Sequence, residues 1–226
     1  MSEVVVSALE PRLQKQVESA RAAFNRGQVE PALELCAAVL AAQPGCLAVR
    51  KLERAARLKQ VASRRTMVSK LVTAVSTAPF VLGGSLQLKD DPAAALATAE
   101  RLLRRNPQNV AALSLLGQAA AMLRWTGTAV FAHEAASDLE PERPDLWLAL
   151  GAAYLADGRA KDAVQAAEEA LRLQPAHAEA LALLREATVA VTVVKGDWER
   201  SGDFRTKLKS ELNSAAPEPG PTQARS

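Results

Sequence analysis

The sequence predicts an all-α solenoid of stacked helix-turn-helix units, and three in-phase series of residues predict it. Pro107, Pro141 and Pro175 follow one another at intervals of 34 residues. Gly83, Gly117 and Gly151 keep the same interval, as do Ala95, Ala129 and Ala163. A period in this range describes a unit of two antiparallel helices that buries its apolar face only by stacking on its neighbours.

Residues 1–12 read as a lead-in without repeat phase. Residues 13–46 read as a first, detached unit, with Ala20, Gly27, Ala32, Cys36, Val39 and Pro44 in the expected order. From Pro44 to Pro107 is 63 residues, five short of two periods, so residues 47–75 are expected to form a basic, irregular helical connection. Three in-register units follow, at 76–109, 110–143 and 144–177. In each, a small Gly or Ala falls where two helices must approach closely, and the closing proline stops the second helix because it lacks an N–H and clashes with the preceding turn. Asp90 and Asp91 read as a helix start. Residues 178–212 supply one more first helix and a packing segment with Trp198 and Phe204. Gly196 there reads as a helix end and Gly202 as a second turn. The Pro-, Gly-, Ala- and Ser-rich residues 213–226 are expected to be disordered.

Unit 144–177 is the most complete. It has Trp147, Leu150, Gly151 and Tyr154 in the first helix, Gly158 at the turn, Ala163, Ala167 and Ala170 in the second, and Pro175 at the close. This pattern resembles the tetratricopeptide repeat family. Unit 110–143 departs from it, with Leu113 in place of the first aromatic and His133 where the best copy has Ala167. Unit 76–109 departs too, with Pro79 at the first aromatic position. The resemblance implies an α-solenoid of tetratricopeptide-like repeats whose first helices line a concave groove. The residues it would place in that groove are Phe80, Val81, Gln87 and Leu88, then Ser114, Leu115, Gln118 and Met122, then Leu148, Ala152 and Leu155. Family members that clamp a C-terminal carboxylate present Lys, Arg and Asn there, whereas this chain presents almost none. An oily groove must be covered, and an amphipathic helix is its natural ligand. Three occupants compete: a partner's helical or extended segment, a second copy of the chain, or the chain's own residues 189–212.

The formal charge of +3 points to no partner class. The cations are nonetheless uneven. Arg50, Lys51, Arg54, Arg57, Lys59, Arg64, Arg65 and Lys70 stand against the single acid Glu53, in the stretch that breaks the period. That helix reads as a solvated connection, or as a surface for an acidic protein, a nucleic acid or anionic headgroups. No stacking aromatics or recognition-helix pattern adjoin it to support nucleic acid. Val68, Leu71, Val72 and Val75 do follow as an apolar stripe, as on a surface-lying helix.

Residues 1–10 lack the basic flank and apolar run of a signal peptide. The uncharged stretch 71–88 falls short of a comfortable span and is interrupted by Pro79, Gly83 and Gly84. A cytoplasmic protein is expected. Cys36 and Cys46 both fall in the first unit; Cys36 reads as a packing residue, and neither a disulfide nor a redox role is expected. His133 reads as a packing residue and His177 as a loop residue, too scattered for a metal. No polar groups converge as catalysis requires. The sequence thus predicts a non-enzymatic interaction scaffold without cofactor or metal. A homo-oligomeric scaffold, or an adaptor working through the basic helix, are the alternatives.

Overall fold

A computed structural model describes residues 2–67 and 88–200, with side chains over 2–63 and 88–193. Among these residues the chain is all-helical. A short 3-10 turn (Val6–Ala8) precedes α1 (Pro11–Asn25), α2 (Val29–Ala42) and α3 (Leu47–Met67). After residues 68–87 come α4 (Pro92–Arg105), α5 (Val110–Met122), α6 (Thr126–Leu139), α7 (Pro144–Ala156), α8 (Ala160–Leu173) and α9 (Ala178–Arg200). From α1 to α3, and again from α4 to α9, each helix packs on the one before it. The pairs α1–α3 and α7–α9 also touch, as expected of a stacked array.

The helix ends follow from local chemistry. Asp91 caps α4 by accepting from the Ala94 N–H at 2.9 Å, and Asn109 caps α5 through the Ala112 N–H at 3.0 Å. Gly27 and Gly158 make the turns after α1 and α7 in the left-handed region, at φ +80° and +77°. The turn after α5 uses Arg124 at φ 61°, a conformation that disfavours a side chain. Gly196 does not end a helix, because α9 runs on through Arg200. A lone glycine is tolerated inside a helix when flanking residues continue it.

Close approach explains the glycines inside α5 and α7. A Cβ at Gly117 would lie 2.4 Å from Nε2 of His133, so the missing side chain makes room for the imidazole. A Cβ at Gly151 would meet Cδ2 of Leu183 on α9 at 2.6 Å. His133 is a buried packing residue at 4% exposure. Cys36 and Cys46 are buried free thiols in the core of the first unit, and burial pushes the Cys36 thiol up to about 11.

The first unit and the later helices are tied together at two places. Val4 donates to the Gly45 carbonyl at 2.9 Å, setting residues 2–5 against the turn before α3. From there the Glu3 carboxylate reaches the start of α6. It accepts from the Gly127 N–H (3.1 Å), the Thr128 N–H (2.7 Å) and the Thr128 hydroxyl (2.5 Å). A carboxylate on the free N–H groups of a helix start is favoured by both hydrogen bonding and the helix dipole. The second tie is α3 itself.

Candidate protein-interaction surfaces

α3 is amphipathic in an unusual sense, because its cationic face is also the face that meets the array. Arg50 is only 4% exposed. Its guanidinium pairs with Glu100 of α4, donates to the Pro44 carbonyl, and sits 6.0 Å from the centre of the Trp125 ring. Lys51 lies over Phe131 of α6 at 5.6 Å, and Lys59 over Phe24 of α1 at 5.1 Å. Arg57 is held by Glu53 at 2.6 Å and reaches the Arg104 carbonyl at 3.5 Å. Arg54 faces Asp138 of α6, which partly offsets the downward shift that burial imposes on its guanidinium.

The expectation of a solvated basic connection therefore fails for Arg50, Arg54 and Arg57. Each has a long apolar stem that buries against the array, and the heads of Arg50 and Arg57 find an acid, a carbonyl or an aromatic face. Lys51 and Lys59 stay at the edges of this contact. The side chains of Arg64 and Arg65, and the whole of Lys70, lie outside the described residues, as do Trp198's side chain and Phe204.

The residues expected in the groove divide by burial. Gln118, Met122 and Ala152 are exposed, Met122 by 53%. Ser114, Leu148 and Leu155 are half-buried, as is Leu88, which packs on the central core. Leu115 differs from the expectation. It is 2% exposed and packed among Leu96, Ala99, Leu116 and Ala119, so it belongs to the core. Phe80, Val81 and Gln87 lie outside the described residues. The surface that remains on α5 and α7 is uncharged at every one of these positions. Val189 and Val193 of α9 are 60% and 61% exposed, and α9 packs on α7 and α8 as the next helix of the stack.

No family model matches the chain, and neither does any curated protein. Solved structures do. The first tetratricopeptide domain of Spaghetti (RPAP3), bound to an HSP90 peptide SRMEEVD, aligns with a TM-score of 0.50 at 20% identity, covering 54% of this chain and 97% of that one. The first such domain of human RPAP3 aligns equally well, also at 20% identity, over 52% and 93%.

The fold is that of tetratricopeptide-repeat proteins.

Two additions to that fold escaped the sequence reading: the inward cationic face of α3 and the cap that Glu3 places on α6. Nothing around Glu3 announces its role. A signal for α3 was present at Trp125 and Phe131, where the following unit has Arg159 and Gln165. Among the described residues no three His, Cys, Asp or Glu side chains gather as a metal site would require, and no helix is long and apolar enough to cross a membrane.

Proposed function

We propose that the chain is a non-enzymatic protein-interaction scaffold that holds a partner segment on the first-helix face of its array. The observation that carries this reading is the asymmetry between the two faces of α5–α8. The second-helix side of α6 is occupied by α3 and by Glu3. The first-helix side leaves Gln118, Met122 and Ala152 open beside the half-buried Leu148 and Leu155. An open, uncharged surface of this kind suits the apolar side of an amphipathic helix, whose anchors recur every three to four residues.

The HSP90 peptide on the RPAP3 domain ends in acidic residues. Here the first-helix face offers no cation at any of the six positions Ser114, Gln118, Met122, Leu148, Ala152 and Leu155. An apolar helical ligand fits it better than an acidic tail. Affinity purification from the native cells, beside a Met122→Glu, Ala152→Glu variant of unchanged helicity, tests this. Both substitutions sit on exposed positions, so the fold is expected to survive. Loss of one specific partner in the variant supports the reading. A partner set untouched by the two charges contradicts it.

A further inference from the structure

The cleft where α3 crosses α4 and α6 holds positive charge that the described residues do not compensate. Arg50, Glu53, Arg54 and Arg57 line it from α3, and Glu100 and Arg104 from α4. Both acids are already engaged, Glu100 with Arg50 and Glu53 with Arg57. Two cations remain. Neither the Arg54 nor the Arg104 side chain makes a hydrogen bond or ion pair within the described protein; Asp138 acts on Arg54 only at longer range. The Nε–H groups of Arg54 and Arg50 are moreover buried donors with no acceptor among the described residues. Buried donors in native proteins are nearly always paired, so an orphaned pair in one cleft calls for an acceptor.

Size and shape restrict what that acceptor is. The cavity measures about 30 Å³, where roughly 10–15 Å³ holds one water. It admits a compact group of a few heavy atoms, either a small free ion or the end group of a larger molecule that stays outside. Its remaining wall is apolar, including Leu113 and Phe131, and a low-dielectric surround strengthens any charge pairing inside it. Guanidinium forks match the oxygens of a planar or tetrahedral oxyanion in pairs, and two uncompensated positive charges match a dianion better than a single carboxylate.

We infer that this cleft is a binding site for a phosphate-class oxyanion, held between Arg54 of α3 and Arg104 of α4. The anion completes the seam between α3 and the array. Its binding fixes α3 against α4 without touching the first-helix face.

The test is calorimetric titration of the full chain with inorganic phosphate, and in parallel with glycerol phosphate, at constant ionic strength set by chloride. The native chain binds one equivalent saturably. Arg54→Gln, Arg104→Gln weakens binding at least tenfold with helicity unchanged. Arg104→Gln alone, at an exposed side chain, weakens it measurably should the double variant misfold. Arg143→Gln, on an exposed arginine engaged by Glu140 and Asp145, leaves it unaltered. Binding of glycerol phosphate alone assigns the site to a phosphorylated small molecule, and binding of both assigns it to the free ion's chemistry. Absence of saturable binding by either ligand, or binding undiminished by loss of both arginines, overturns the proposal.

Discussion

The second helices α6 and α8 occupy equivalent places in successive units, yet their outer faces have opposite character. At positions 34 residues apart, α6 and the turn before it carry Trp125, Thr128 and Phe131, where the following unit carries Arg159, Asp162 and Gln165. Trp125 is 2% exposed and Thr128 is fully buried, whereas Arg159 and Gln165 are exposed. The difference follows from what each helix faces. α6 is covered by Arg50 and Lys51 of α3 and capped by Glu3. α8 has no such cover among the described residues, and its Arg159 instead pairs with Asp162 at 2.6 Å and stacks on Tyr154 at 4.3 Å. Where a repeat departs from its neighbour, the departure marks a place where something else in the molecule is docked.

Exchanging counterparts is the strongest way to break this comparison. Trp125→Arg puts the exposed unit's residue into the covered one, beside Arg50 and without an acid to meet it. Loss of a buried aromatic in a core typically costs about 3–5 kcal/mol, to be read from urea unfolding. The reverse change, Arg159→Trp, stands at an exposed site and is expected to move stability by no more than about 0.5 kcal/mol. Equal effects at the two positions would show that the burial of Trp125, in the α4–α6 core and beside Arg50, does not set the two units apart.

The two units also differ inside. His133 fills the place that Ala167 fills one unit later, and burial pulls its imidazole down to about 4, from an unperturbed value near 6.5. A group whose folded pKa is depressed in this cationic sense is held neutral by the fold. Its contribution is intact above about pH 6.5 and is lost as pH falls toward 4, to a limit of about 3 kcal/mol. Urea midpoints measured across that range should fall in the native chain more steeply than in His133→Ala.

The same pair offers a cleaner packing test. Gly117→Ala drives a Cβ into the imidazole, with an expected cost of about 1–3 kcal/mol for overpacking. Adding His133→Ala, the residue of the next unit, should recover most of the loss. Gly151→Ala presses only on the end of the Leu183 side chain, so a double-mutant comparison ranks it the milder change.

Helix identity was legible because the repeat carries it redundantly. The prolines, the small residues and the caps at Asp91 and Asn109 all act within a few residues of where they stand. Among the described first-helix positions, Gln118, Met122 and Ala152 are exposed, whereas Leu115 is buried. Periodicity assigns a helical face, but whether a leucine at its edge stays open depends on how deeply α4 packs, which is a tertiary matter. The docking of α3 was less accessible, since a row of arginines reads the same whether it faces water or a neighbouring helix. Only Trp125 and Phe131, large apolar residues where the next unit is polar, pointed to a covering partner. Glu3 was illegible: its hydrogen bonds join residues about 125 apart, and no pattern within residues 1–12 distinguishes a capping glutamate from a solvated one.

Two smaller effects sharpen the comparison. Glu3→Gln keeps the shape of the α6 cap and removes its charge, and is expected to cost about 1–2 kcal/mol, the usual worth of such a cap. Faster amide exchange at Gly127 and Thr128, without change at Lys161 and Asp162 of α8, would localise it. Arg124→Gly relieves the left-handed turn that Gly158 makes without strain one unit later. A gain of about 1 kcal/mol is expected, since a side chain there costs roughly that much, and thermal unfolding suffices to detect it.

The central claim is that one face of the array is closed by the chain itself and the other is left for a partner. Photo-crosslinking in the native cells tests it most directly, with the reactive group placed at Met122 in one sample and at Phe131 in another. The account predicts a discrete partner adduct from position 122, and from position 131 only a crosslink within the chain, to α3. A partner adduct at 131 with none at 122 would contradict it, and would move the recognition surface to the face that α3 covers.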